Sequence, residues 1–370
     1  MPTQKYISLA RQGVYKLHNK LSPAARAQRY ACNNLRQHFY QQFWQTSTQQ
    51  IGADLHKLSD GWWKASKEGQ RTFIQGERVM LDSAVALDLA GNKALIYQLL
   101  AEDNYPVPQS LVFSQNNLSN AYEFQKKIEG NVVVKPMASW AGQGVTVNIK
   151  TAEELKKTAI YASRFGNKLL IEQHIAGDSY RLLFLNGEFI DAIRRDPPHV
   201  KGDAKLNIKQ LIEEENKRRL NTNNITALSL IAIDTDCKQT LKKQNLSLKS
   251  IPENNEMIKI KTVVNHNNRF ENHSVKNQVH PDIIKLGRNI SLQYHIELAG
   301  LDIITSDITK ALSKTGGVIN EINTTPGLHH HALVADNTQT TSVGSLVLDY
   351  IFSKSTLNRN STNREHHNEK

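Results

Sequence analysis

Val132-Val133-Val134-Lys135-Pro136, followed by Gly142-Gln143-Gly144-Val145, and much later Asp307 with Glu321-Ile322-Asn323-Thr324-Thr325-Pro326-Gly327, are the stretches on which the reading of this chain turns. The first reads as a short, buried, β-branched strand that ends on a lysine and enters a glycine loop. A strand end fixes the ammonium in space. A buried lysine with no acidic neighbour in sequence needs an anion, and phosphate is the usual one. In Ser139-Trp140-Ala141-Gly142-Gln143-Gly144 the two glycines let backbone N–H groups approach phosphate oxygens. In the second stretch Glu321 and Asn323 stand two apart on a strand, so both point to one face. Asp307, read as lying on the preceding strand, can face the same side. Two carboxylates and an amide set among Ile and Val would repel one another without a cation, and such oxygen donors suit magnesium. Lysine, glycine loop and acid–amide trio together are what phosphoryl transfer from ATP requires.

The bulk properties narrow the classes. With 370 residues the chain can bury two or three packed units, and 39% hydrophobic residues fit a soluble globular protein. No apolar run approaches the roughly 18–20 residues that span a bilayer. Residues 1–15 carry Lys5 and Arg11 but no continuous apolar stretch, which argues against a secretory signal. The two cysteines, Cys32 and Cys237, lie far apart in no metal or redox spacing, which argues for a reducing cytoplasm. The net charge of +11 is spread along the whole chain, with no nucleic-acid module of interleaved aromatics. That argues against nucleic acid as a partner and for a basic surface on an enzyme that handles anions.

Periodicity predicts a helix over 24–50 with one buried aromatic side, from Tyr30, Phe39, Tyr40, Phe43 and Trp44. Strands and turns follow over 51–74, then a helix over 82–100 that Tyr105-Pro106-Val107-Pro108 stops. A helix over 120–128 precedes the 132–134 strand, and 145–149 and 169–171 read as further strands. Thr151 with Glu154 forms a capping box for the helix between them. Arg181 to Leu185 and Phe189 to Ile193, joined by Asn186-Gly187, make a hairpin. Residues 216–280 read as a decorated, partly mobile insertion and not as a domain. A helix over 281–297, core strands around 303–308 and 317–322, and a closing helix over 342–352 follow. His329-His330-His331 cannot all face one ion from a regular element, so they read as a loop bordering an acceptor pocket. His199, beside Arg194 and Arg195, either binds an anionic substrate or shapes a turn.

Taken together these residues resemble the ATP-grasp carboxylate–amine ligases, and most of all the ATP-grasp module of cyanophycin synthetase, with a further likeness to D-alanine–D-alanine ligase and glutathione synthetases. The likeness covers roughly 80–353. It is carried by Ala90-Gly91-Asn92-Lys93, Val133-Val134-Lys135-Pro136, Ile171-Glu172, Gly177 to Arg181, Arg195 to Asp203, Val279-His280-Pro281, Gly300-Leu301-Asp302-Ile303, Thr305 to Thr309 and Glu321 to Gly327. The resemblance implies an α+β ATP-grasp fold, two α+β subdomains clasping ATP, preceded by an N-terminal α/β region over 1–90. A central and lid subdomain would span 91–176 and a C-terminal subdomain 177–353, with a disordered tail over 354–370.

It also implies roles. Lys93 and Lys135, with Gly142 and Gly144, would hold ATP phosphates. Glu172, Gln173, His174 and Ile175 would form the adenine hinge, and Asp178 would meet the ribose. Asp307, Glu321 and Asn323 would bind two Mg2+ ions, with Mn2+ able to replace them. Arg181 and Arg195 would steady the phosphates and an acyl phosphate, and His199, Gly327 and His329 would border the substrates. The implied reaction activates a carboxylate as an acyl phosphate that an amine then displaces. Small-molecule carboxylate and amine substrates are the expected partners, with no membrane partner, and a homodimer is a state that the resemblance allows. The chain departs from the family at Ser139 to Gly144, at Ala204 where the family has glycine, and at Asn267-Asn268-Arg269-Phe270 where it has a double glycine. With no Mur-ligase-like half, cyanophycin synthesis is not expected. A phosphotransferase and a non-catalytic nucleotide-binding module remain the alternatives.

Overall fold

A computed structural model of the chain describes residues 22–137, 142–264, 267–336, 338 and 340–365. Ser139, Trp140 and Ala141 of the expected phosphate loop lie outside the described residues. Along α1 (Pro23–Gln50) the aromatic side is buried at Phe39, Tyr40 and Trp44, while Tyr30 faces solvent. The chain then runs as an antiparallel meander: β1 (Asp54–Ser59), β2 (Trp62–Lys67), β3 (Gln70–Gln75) and β4 (Arg78–Val79). In β3 burial alternates strictly, with Ile74 inward and Phe73 outward, as a half-buried strand must. The single helix expected over 82–100 is broken into α2 (Ala84–Gly91) and α3 (Lys93–Glu102). Asn92 leaves helical geometry and its side chain caps α3 by accepting from Leu95 N at 3.3 Å. This cap sets Lys93 at the first position of a helix.

A second antiparallel sheet has the order β5-β8-β6-β7, from β5 (Ser110–Phe113), β6 (Val132–Pro136), β7 (Thr146–Ile149) and β8 (Leu169–Gln173). The helices α4 (Ser119–Lys127) and α5 (Ala152–Ala162) pack against it through Ala121, Leu155 and Ala159. The expected capping box is present: Thr151 accepts from Glu154 N, and Glu154 accepts from Thr151 N.

The largest sheet has five strands in the order β13-β10-β9-β14-β15. These are β9 (Asp178–Leu185), β10 (Glu188–Arg195), β13 (Asn272–Ser274), β14 (Leu298–Thr305) and β15 (Val318–Thr324). The β9–β10 hairpin turns at Asn186-Gly187, both at positive φ, as a two-residue turn requires. The helix α8 (Pro281–Gln293) packs on this sheet, and the short helices α9 (Leu312–Thr315) and α10 (His329–Ala332) flank β15. Leu183, Leu185 and Leu298 of the sheet share one core with Leu35, Tyr40, Trp44, Trp63 and Ile74 of the N-terminal elements and with Val347 and Leu348 near the C-terminus.

Two expectations need correction. Much of the stretch read as a loose insertion over 216–280 belongs to a packed unit. β11 (His199–Lys201) pairs with β12 (Met257–Lys259), and α6 (Ile208–Arg219) and α7 (Thr235–Lys243) enclose Ile208, Ile212, Ile231, Cys237, Leu241, Ile258 and Ile260. Its apolar residues are sparse and meet only through contacts distant in sequence, so local periodicity is weak there. The closing helix, expected over 342–352, is longer: α11 spans Val343–Glu365, and no Pro or Gly stands in it after Gly344. Residues 366–370 lie outside the described residues.

Gly287 marks the tightest helix–sheet approach. A Cβ there would stand 2.2 Å from Phe184 Cζ, deep in the core. Gly287→Ala is expected to cost about 1–3 kcal/mol through overpacking, read as a lower denaturant midpoint. An unchanged midpoint would contradict this packing.

Candidate active site

The five-stranded sheet gathers charge on one face by register alone. Asp302 of β14 lies opposite Arg181 of β9 and opposite Glu321 of β15. Asn323 is two residues beyond Glu321, opposite Gly300, and Arg195 of β10 lies opposite Ser179, two residues before Arg181. With a side-chain period of two, all five side chains share that face. Arg181 grips Asp302 with both ends of its fork, Nε to Oδ1 at 2.7 Å and NH2 to Oδ2 at 2.8 Å. Arg195 NH2 reaches the same Oδ2 at 2.8 Å and Ser179 Oγ at 3.3 Å. All three charged groups are buried. Burial alone would raise the Asp302 carboxyl, but the two guanidiniums hold it down at about 2. Glu321 is ion-paired with Lys93. Asn323 donates to Gly300 O at 3.3 Å.

Above this face lies a cavity of about 780 Å³. The second sheet contributes Val133, Lys135 and the segment Glu172 to Ile175, and Gly142, Asp178, Gly327, His329 and His330 also line it. Lys135 Nζ stands 2.7 Å from Glu172 Oε2 and donates to Tyr97 Oη at 3.2 Å. The anion that its burial demands is therefore present within the chain, on the neighbouring strand β8. Six basic side chains (Arg36, Lys93, Lys135, Arg181, Arg195, Lys259) and six acidic ones (Glu77, Glu172, Asp178, Asp196, Asp302, Glu321) line the cavity. Its formal charge is thus close to balanced.

The histidine run is held from behind. Tyr40 Oη of α1 lies 3.0 Å from His329 Nδ1, and His331 Nδ1 lies 2.8 Å from Asp191 Oδ2. His329 and His331 take different partners, while the ring of His330 lies against that of His329, with centroids 4.0 Å apart. Burial, with the nearby Arg36 and Arg181 cations, pushes His329 well below the usual histidine range, and burial beside His329 does the same to His330. Both rings are neutral at physiological pH.

Comparison with known proteins fits this geometry. Residues 99–244 match the family model described as prokaryotic glutathione synthetase, ATP-grasp domain. A solved bifunctional glutathione synthetase from Pasteurella multocida superposes with a TM-score of 0.54 at 20% identity, over 82% of this chain and 42% of that one. This chain carries an ATP-grasp fold. The chain is similar to cyanophycin synthetase of Trichormus variabilis, 27% identical over 270 residues, which are 72% of this chain and 30% of the relative. It is also similar to the glutathione biosynthesis bifunctional protein GshAB of Clostridium perfringens, 26% identical over 300 residues, 80% of this chain and 37% of the relative. The chain thus spans about a third of the length of these relatives.

Within the ATP-grasp fold, most expected site residues line one cavity, and three do not. Asp307 stands two residues past the end of β14, where Thr309 N and Oγ1 donate to it at 2.9 and 2.6 Å and Lys310 pairs with it at 3.0 Å. It is occupied by its own turn, and Asp302 holds the position facing Glu321 instead. Gly144, at φ +75°, packs where a Cβ would strike Phe165 and Pro136, so it serves packing and not the cavity lining. His199 belongs to β11, where its backbone N donates to Glu271 Oε1 at 2.7 Å, and the neighbouring Pro197 lines the cavity instead. Asp302 had a signal in the sequence: one acid inside the apolar run Leu298–Thr305. Tyr97, Arg36, Glu77 and Lys259 had none, because they arrive from elements distant in sequence.

Hard-cation donors are present on the sheet face. Among the described residues no group of three or more His, Cys, Asp or Glu is arranged to hold a metal. A divalent cation here would rest on Glu321 and on the Asn323 amide oxygen, with Asp302 behind them and ligand oxygens completing the shell. Apart from Glu172 Oε2, which is ion-paired with Lys135, two buried polar atoms of cavity-lining residues, Arg195 Nε and Asn267 Oδ1, have no hydrogen-bond partner among the described residues. Such atoms suit a polar ligand.

Asp302→Asn would leave two buried guanidiniums without their counter-charge, so a loss of about 3–5 kcal/mol is expected by chemical denaturation. Asp307→Asn should leave the midpoint unchanged, and equal effects of the two changes would contradict the geometry. The pH dependence has a definite sign. The folded carboxyl of Asp302 titrates below its ordinary 3.8, so the stability that it contributes is complete above about pH 4 and is lost as the pH falls toward 2. In Asp302→Asn that part of the acid-induced loss should vanish.

Proposed function

We propose that the chain is an ATP- and magnesium-dependent ligase that joins a carboxylate, from an amino acid, peptide or small organic acid, to an amine. The observation that carries this reading is the acid–amide–arginine face of the five-stranded sheet, set against a cavity lined by Lys93 and Lys135 within an ATP-grasp fold. ATP supplies the γ-phosphoryl group: the carboxylate becomes an acyl phosphate, the amine nitrogen forms the C–N bond as the C–O bond to phosphate breaks, and ADP, phosphate and a proton leave.

The chain's own groups suit the problem of bringing anions together. Lys93 and Lys135 face the phosphates, Glu172 to Ile175 the adenine edge, and Asp178 the ribose. Arg181 and Arg195 carry two positive charges against the single charge of Asp302, so one remains to attract a carboxylate or an acyl phosphate. Glu321 and Asn323 would hold the metal, with Asp302, which lies opposite Glu321, behind them. A charge-balanced cavity favours a neutral cargo, and a tetra-anionic nucleotide becomes neutral with two divalent cations. Mn2+ suits the same oxygen set. Gly327, His329 and His330, the rings neutral, border the substrates. The free thiols of Cys32 and Cys237 suit a reducing cytoplasm.

ADP release in the presence of pooled amino acids and carboxylic acids tests the reading. Substrate-dependent ADP, lost on chelation of the metal, is expected, with a product mass equal to two substrates less one water. A product that gains only one phosphate would overturn the ligase assignment. Asn323→Ala should lower the rate by roughly 10- to 100-fold, and unchanged turnover would contradict its metal role.

A further inference from the structure

The N-terminal elements reach the cavity through two side chains that neither the nucleotide nor the metal reading uses: Arg36 of α1, and Glu77 in the turn between β3 and β4. Both lie outside the residues that match the ATP-grasp family model. Their placement is built. Trp44 Nε1 donates to Gly76 O at 2.8 Å and pins the turn to α1, and Tyr40, one turn beyond Arg36, holds His329 of the cavity wall. Arg36 and Glu77 face one another through a single contact of 3.4 Å, with side chains 38% and 30% exposed. The deep pairs of the cavity differ: Lys135–Glu172 and Arg181–Asp302 close to 2.7 Å and are nearly fully buried. A long, half-exposed single contact holds its partners weakly and leaves most of their hydrogen-bonding capacity free.

Charge decides what would fit there. The Arg181–Arg195–Asp302 cluster has one positive charge in excess and suits an anion. Arg36 and Glu77 balance, and a balanced pair that can part matches a group carrying both signs a short distance apart. We infer that Arg36 and Glu77 form a recognition site for the free α-amino-acid head of one substrate, with the Arg36 guanidinium taking its carboxylate and the Glu77 carboxylate its ammonium, so that the group joined lies on that substrate's side chain. This rests on the ligase reading, and makes the N-terminal region a specificity element beyond its packing role.

The test uses the full chain with Mg–ATP and the twenty common amino acids, singly and in pairs. For an amino acid that supports ADP release, its α-carboxamide and its N-acetyl derivative are then compared with it. The expected result is a KM at least about tenfold higher for one or both blocked forms. Arg36→Ala should raise KM for the free amino acid by a similar factor and erase the penalty for the α-carboxamide, and Glu77→Gln should do so for the N-acetyl form. In both, kcat should stay within about twofold, and calorimetric binding of a magnesium-loaded, non-hydrolysable ATP analogue should be unchanged. Turnover with KM unaltered in both variants, or blocked forms used as well as the free amino acid, would overturn the recognition site and leave the ligase reading standing. No ADP from any combination in the unmodified chain would overturn the ligase reading, and this inference with it.

Discussion

A buried aspartate clasped by two arginines is the constraint around which this molecule is arranged. Asp302, Arg181 and Arg195 sit on adjacent strands, and each is costly to bury alone. Together they are tolerable only if β10, β9 and β14 keep a register that puts all three on one face. A slip of one residue would turn each charge into the apolar layer behind the sheet, where Leu182, Leu301 and Ile303 pack. The same register brings Glu321 and Asn323 alongside. Fold specificity and site assembly thus follow from one pattern of strand pairing.

The apolar end of the charged face explains why the N-terminal region matters. Leu183, Leu185 and Leu298 meet α1 and the first meander, so residues well before the ATP-grasp match are part of the same core. From that core Tyr40 fixes His329, which stands in the short helix α10 and not in the loop expected for the histidine run, and Arg36 and Glu77 reach the cavity. The opposite wall comes from a separate core under β5 to β8. The cavity lies between groups anchored in both, and two of its lysines, Lys93 and Lys135, are each held by a carboxylate of another element.

What was legible in the sequence follows the range of the interactions. The Asn186-Gly187 hairpin, the Thr151–Glu154 capping box, the buried strand at Val132 and the common face of Glu321 and Asn323 depend on neighbours a few residues away, and periodicity reads them. Asp307 reads as part of the strand, but β14 ends at Thr305, and a turn with Thr309 and Lys310 looks like a strand continuation until the pairing is known. Asp302 is a lone acid in an apolar strand, a signal whose meaning depends on two arginines more than a hundred residues earlier. The unit built around Ile212, Ile231 and Ile258 hides for the same reason. Glu172 as the counter-ion of Lys135 depends on the pairing of β6 with β8, which no spacing reveals.

On the proposed function, the face bearing Asp302, Glu321 and Asn323 would hold divalent cation against a nucleotide triphosphate. Anomalous diffraction from crystals of the full chain grown with Mn2+ and a non-hydrolysable ATP analogue tests it most directly. Manganese peaks beside the Glu321 carboxylate and the Asn323 amide oxygen are expected, next to the triphosphate. Manganese at Asp307 or among His329, His330 and His331, with that sheet face bare, would contradict it.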